Sequence, residues 1–412
     1  MVTSHAKTLH GTKRDSTRPV GGLIDGFAGW LQKLGYAADT IQGYLIVAAR
    51  WSRWAKKRHT PPERWDEETV EAFRRHVRLQ RPRRSKATCR TTVSAVRCFL
   101  RFLRALGLGV PPEPERPKPI ELSLLIGFRH WSVEHRGISK RTLEDQARFV
   151  REFLQAFGED ASRFDARCLR SFIVDFIGQR GRRSVQHAAY ALRMFVRYLI
   201  AHGKCPAGLD QAVPGVAGWQ LSWLPKTLPA ADVERVLAAC DTSTAKGLRD
   251  RAVLLLLARL GLRAQDIIRL RIADIDWAGA TLRVSGKGRS EARLPLAQEV
   301  GDAILAYLED GRPRVTEPHL FLRDVAPIGP WATSQRVSLL VRRALRRSGV
   351  VAPSYGAHML RHSAATAMLR QGASLHEISA MLRHRSIATT AVYAKVDVAS
   401  LKLVAQPWPE VR

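Results

Sequence analysis

Two arginines, a lysine, two histidines and a tyrosine in the C-terminal third of this 412-residue chain have the chemistry to handle one phosphodiester. Arg263 stands in Gly-Leu-Arg-Ala-Gln-Asp and Lys287 in Ser-Gly-Lys-Gly-Arg. His358 and Arg361 share His-Met-Leu-Arg-His, His384 sits in Leu-Arg-His-Arg-Ser, and Tyr393 in Thr-Thr-Ala-Val-Tyr-Ala-Lys. A planar guanidinium can hold two phosphate oxygens at once. A lysine between glycines can be brought close to a ligand by its backbone, and histidines exchange protons near neutral pH. A phenol with a pKa of about 10 is a poor nucleophile at neutral pH and needs such help. Taken singly, each has a plainer reading: a surface arginine, a solvated hairpin lysine, a half-buried core tyrosine. The set carries the argument.

The set constrains the elements that hold it. Asp250 to Leu260 reads as an apolar helix stopped by Gly261, which lets Arg263 point out of the packed layer. Asp266, one turn further on, reads as an orienting partner rather than a catalyst. Thr281 to Ser285 and Glu291 to Leu296 alternate about Gly286-Lys287-Gly288, a β-hairpin with Lys287 at its tip. His358 and Arg361 fall on one face of a helix that runs to Arg370 and stops at Gly372. His362 is expected to point elsewhere on that helix, in a packing or structural role. His384 and Tyr393 are nine apart, so an unbroken helix turning about 100° per residue would set them on opposite faces. They converge only if the chain breaks, at Arg385-Ser386, with Ser386 capping a helix that carries Tyr393. Tyr307 and Tyr355 are read as core.

Upstream the pattern is helical. A polar, basic arm (1–18) precedes a helical module (19–110), a Pro-rich linker (111–120), a second helical module (121–204) and another linker (205–228). The domain holding the chemistry spans 229–405, before a short tail (406–412). The two modules look like copies: Phe27 matches Phe128, Trp30 matches Trp131, Trp65 matches Phe164, and Phe99 matches Phe195. A basic turn precedes the last helix of each. The expected fold class is mainly α with a small β-hairpin or sheet in the last domain (α+β).

Lys+Arg 67 against Asp+Glu 37 gives a formal net charge of +30, which implies a polyanionic partner. The candidate DNA contacts are Arg83, Arg84, Lys86, Arg97 and Arg101 in the first module, and Arg182, Arg183, Arg193 and Arg197 in the second. Five cysteines without CxxC pairs argue against a disulfide framework or a zinc site. The N-terminus has no apolar signal segment, and no run is long enough to span a bilayer. A cytoplasmic, nucleoid-associated protein without metal or other cofactor is expected.

The order and wording of these segments resemble the tyrosine recombinases, or phage integrase family, over the whole of 229–405. The second module also resembles that family's core-binding domain. Two departures stand out: Arg383 stands where the family commonly has glycine before the last histidine, and Asp266 where it often has glutamate. The resemblance implies two helical DNA-binding modules followed by an integrase-like catalytic domain. It also implies site-specific DNA breakage and rejoining through a 3′-phosphotyrosyl intermediate on Tyr393 and a Holliday junction, without metal or ATP. In that scheme Arg263 and Arg361 hold the non-bridging oxygens and His384 bonds them. Lys287 protonates the leaving 5′-oxygen, and His358 helps to take the tyrosine proton. The partners implied are duplex DNA at specific sites and further copies of the chain: a dimer on each site, a tetramer at synapsis, with other recombinase subunits as an option. The segment after Tyr393, Val396 to Val404, is expected to pack on a neighbouring copy. Two other readings stay open: type IB topoisomerase-like strand passage, and a non-catalytic architectural DNA-binding protein.

Overall fold

A computed structural model describes residues 23–80, 86–108, 110–111, 122–217, 224–285, 291–384 and 386–396. The basic arm, most of the Pro-rich linker, Arg83 and Arg84, the hairpin tip with Lys287, Arg385 and the chain beyond Val396 lie outside them. By their packing the residues form two units. One is the second helical module; the other joins the first module to the C-terminal domain.

The first module is four helices, α1 (Ile24–Lys33), α2 (Ala38–Lys57), α3 (Glu67–Gln80) and α4 (Lys86–Ala105). Their apolar stripes meet in an aromatic core of Phe27, Trp51, Trp65, Phe73 and Phe99. Ile328 of the C-terminal domain donates its N–H to the Leu34 carbonyl at 2.9 Å, a tie inside the larger unit.

The second module repeats the plan in α5 (Ser123–Arg136), α6 (Lys140–Phe157), α7 (Ala166–Gln179) and α8 (Arg182–Ala201). Ser139 and Asp165 cap α6 and α7 by accepting from the N–H groups of Thr142 and Cys168. The matched aromatic residues play matching parts. Phe27 meets Phe99 edge-on at 5.0 Å between centroids, and Phe128 meets Phe195 edge-on at 5.6 Å. The start of the expected 205–228 linker is part of this module, because Cys205 and Val213 are buried in its core.

The C-terminal domain is built around α10 (Ala245–Ala258). Its central run, Val253 to Leu257, is fully buried, as a helix apolar on all sides must be. Around it lie α9 (Ala230–Ala238), α11 (Ala264–Arg269), α12 (Gln298–Ala306), α13 (Gln335–Ser348), α14 (Ala357–Arg370) and α15 (Leu375–Leu382). The expected hairpin is present as β2 (Thr281–Ser285) and β3 (Glu291–Pro295), with Leu282 opposite Leu294. A two-residue β1 (Ile275–Asp276) completes an antiparallel sheet in the order β1-β2-β3. Tyr307 is core, but Tyr355 is 47% exposed, so that expectation fails: it sits in the loop leading into α14. Among the described residues no helix is long and apolar enough to cross a membrane.

Candidate active site

Arg361 is the centre of the site and is only 4% exposed. Its guanidinium donates to the main-chain carbonyls of Gly261 and Leu382, thereby joining the turn before Arg263 to the end of α15. Burial, then the charge of Arg263, pushes its pKa down to about 10, so it remains a cation at neutral pH. Gly261 has φ +59°, and a Cβ there would stand 2.5 Å from a methyl of Leu382. Only glycine allows this approach.

Arg263 caps α11. The Asp266 carboxylate accepts from the Arg263 backbone N–H at 3.0 Å, so the expected orienting role acts through the main chain. The Arg263 guanidinium donates to the Arg383 carbonyl at 3.0 Å, and the Arg383 guanidinium returns to Asp266 as a buried ion pair. Arg383 ends α15 in the left-handed region, φ +54°, a conformation that favours glycine. Two arginines and an aspartate thus close a ring that fixes the direction of Arg263.

His384 follows that left-handed residue. Its Nδ1 lies 2.8 Å from the buried Thr390 hydroxyl. The break expected at Arg385-Ser386 therefore begins earlier, at Arg383. Ser386 caps as expected, accepting from Ala388 N–H, but it opens a 3-10 turn rather than an α-helix. A second 3-10 segment, Ala391–Val396, carries Tyr393. The Tyr393 ring stacks parallel to His384 at 6.4 Å and is 1% exposed, packed with Ala365, Ile378 and Leu382.

The Tyr393 hydroxyl lies 2.8 Å from Nδ1 of His362. This corrects the expectation that His362 points elsewhere. It stands four residues after His358, a spacing that brings side chains to one face, and the two rings are 6.4 Å apart. Burial, then His358 and Arg361, drives the His362 pKa down to about 4. His384 is likewise at about 4, from burial and then Arg361 and Arg263. His358 is lowered for the same reasons, by burial and then the two arginines. Burial raises the Tyr393 phenol, while Arg361 and Arg263 pull it down. Three neutral histidines and two cationic arginines therefore surround one buried phenol.

The phage integrase family model matches residues 226–400. The putative integrase/recombinase y4rA of Sinorhizobium fredii is 36% identical over 399 residues, covering 95% of each chain. This chain belongs to the phage integrase family, the tyrosine-type site-specific recombinases. The tyrosine recombinase XerD of Listeria monocytogenes serotype 4b is 32% identical over 288 residues, covering 68% of this chain and 96% of its own. The fold agrees with a lambda integrase (75–356) dimer bound to a COC′ core site. That structure has TM-score 0.55 and 17% identity, covering 70% of this chain and 98% of its own. XerH bound to palindromic difH in a post-cleavage complex gives TM-score 0.55 at 19% identity, covering 69% and 94%.

Several of the recombinase's candidate DNA-contacting arginines have partners within the protein. Arg97 pairs with Glu67 and Arg197 with Asp210. Arg182 donates to the Ala217 carbonyl and Arg193 to that of Val213. Arg101 and Arg183 are exposed. Lys86 begins α4, but its side chain, like Arg83, Arg84 and Lys287, lies outside the described residues.

Proposed function

We propose that this recombinase cuts and rejoins duplex DNA through a covalent 3′-phosphotyrosyl link on Tyr393. The observation that carries the reading is the convergence of Arg263, Arg361, His358 and His384 on the Tyr393 phenol. The two guanidiniums and the histidines would stabilise the non-bridging oxygens as charge builds on phosphorus. Lys287, at the hairpin tip, would donate the proton to the departing 5′-oxygen, as in the family it resembles. The phosphotyrosyl link keeps the energy of the broken phosphodiester, so the freed 5′-hydroxyl of a partner strand can reseal it without ATP. Two such exchanges pass through a Holliday junction, with a dimer on each site and a tetramer at synapsis. The net charge of +30 supports a DNA partner, as do the DNA-bound lambda integrase and XerH complexes. Because Tyr393 is buried, a shift of the 386–396 segment must accompany attack.

The test uses nicked suicide duplexes drawn from sequences that the full chain enriches from a random library. The wild type should become covalently attached at a 3′ end, and Tyr393→Phe should not. An unchanged adduct with the Phe variant, or none from the wild type on any enriched site, would refute the reading. Strand exchange between two enriched sites separates recombination from simple relaxation of supercoils.

A further inference from the structure

We infer that His362 is a catalytic residue, the group that accepts the Tyr393 phenolic proton on attack and returns it on resealing. The inference rests on the proposed phosphotyrosyl chemistry but concerns which group moves the proton. The expectation from the family was His358, the histidine of the His-x-x-Arg pair. In this chain the side chain found on the nucleophilic oxygen is His362, with its Nδ1 2.8 Å from Tyr393 Oη. His384, the other nearby imidazole, has its Nδ1 on Thr390 and meets the tyrosine through a parallel ring stack. His358 lies beside the two arginines and is set to face the phosphate.

The local structure explains the placement. His362 and His358 are one turn apart on α14, and the 386–396 segment folds back along that helix. Ala365 of α14 and Leu382 of α15 wall the tyrosine ring, so its hydroxyl is delivered to the next polar group along the helix. Groups facing His362 are Tyr393, His358 and Arg361. The cationic Arg361 and burial keep the imidazole neutral at pH 7, as an acceptor must be. A base of such low affinity is weak against a resting phenol. An arriving phosphodiester brings a negative charge beside Arg361 and Arg263, which offsets the arginine contribution and raises the affinity of His362 for a proton. The phenol also becomes far more acidic as its oxygen bonds to phosphorus.

The step balances as follows. The Tyr393 O–H proton passes to His362 Nδ1 while Oη bonds to phosphorus. The P–O5′ bond breaks, and its electron pair stays on the 5′-oxygen, which takes one proton from the general acid. On resealing, the 5′-hydroxyl attacks, the tyrosyl oxygen leaves, and His362 returns its proton to it.

The test measures single-turnover adduct formation by the full chain on the enriched suicide duplexes. His362→Ala and His362→Gln should both slow it by about a hundredfold or more. Glutamine can still bond the hydroxyl but cannot take a proton. Placing 3,5-difluorotyrosine at position 393 makes the phenol more acidic, and it should restore most of the rate in both variants. It should not rescue His358→Ala. A 5′-bridging sulfur in the DNA removes the need for a leaving-group proton, so it should rescue neither His362 variant. The inference is overturned if His362→Gln keeps the wild-type rate, or if the fluorinated tyrosine fails to rescue variants whose melting temperature is unchanged. Should His362→Ala fail to fold, the glutamine variant alone decides the matter. Adduct formation by Tyr393→Phe would instead refute the underlying chemistry, a separate outcome.

Discussion

The Arg361 guanidinium donates to the main-chain carbonyl of Gly261, two residues before Arg263 in the sequence and a hundred residues from Arg361 itself. One side chain thus ties the α10–α11 turn to the α15 end through Leu382. Its role is structural before any DNA arrives. Arg361→Lys keeps the charge but cannot reach both carbonyls with a single ammonium. Each orphaned buried carbonyl costs about 1–3 kcal/mol. Arg361→Lys should therefore lower the melting temperature of the DNA-free protein as well as slow cleavage. A variant with unchanged melting and slow cleavage would show that the carbonyl bonds carry little.

Gly261→Ala should destabilise the domain without touching any catalytic group. The left-handed backbone alone costs a non-glycine residue about 1–2 kcal/mol, and the added methyl collides with Leu382. Urea unfolding should show a lower midpoint with an unchanged slope. Because Arg263 lies two residues on, adduct formation should also fall. An alanine variant as stable as the wild type would mean that the turn relaxes freely.

His358, His362 and His384 all have folded-state pKa values below the unfolded value, two of them at about 4. Between about pH 6.5, the ordinary histidine value, and pH 4, the unfolded chain binds more protons than the folded one. Stability therefore rises with pH across that window and is lost as pH falls through it. Melting temperatures measured from pH 7 to pH 4 should drop, and His384→Asn should flatten the slope. A profile equally steep in that variant would locate the acid sensitivity elsewhere.

The readable parts of the site are those set by short-range patterns. The hairpin followed from alternation about Gly286-Lys287-Gly288, and the Arg263 cap from Gly261 and Asp266. The shared face of His358 and Arg361 followed from their three-residue spacing. His362 was misplaced although its four-residue spacing from His358 carried the signal: on a helix that step is only about 40° of rotation. Arg383 was not legible as a structural arginine. Its left-handed backbone and its pairing with Asp266 depend on α15 ending beside α11, a long-range fact. The 3-10 turns around Tyr393 replace the expected helix because Thr390 is turned inward to His384. The repeat of the two modules was readable because the same aromatic positions build both cores.

Arg383→Gly tests two opposed effects. Glycine suits the left-handed backbone, worth about 1 kcal/mol. Breaking a buried ion pair by removing one partner costs about 3–5 kcal/mol. Loss of the pair should win, so the variant melts lower and Arg263 is less well held. Adding Asp266→Asn removes the uncompensated carboxylate and should recover part of the stability. If Arg383→Gly is instead more stable than the wild type, the ion pair contributes less than the backbone conformation costs.

The arginines of the second module divide by their partners. Arg193 and Arg197 are engaged with Val213 and Asp210, which hold the 205–217 segment against α8. Replacing either by alanine should loosen that segment and lower stability, with an indirect effect on DNA. Arg183, exposed at the start of α8, is placed to meet a phosphate. Arg183→Ala should weaken binding to all duplexes alike and reduce the slope of log affinity against log salt by about one. The same loss is expected for Arg101→Ala in the first module. Binding titrations at several salt concentrations, set beside melting curves, separate the two classes. A larger change in salt slope for Arg197→Ala than for Arg183→Ala would mean that Arg197 leaves Asp210 to contact DNA.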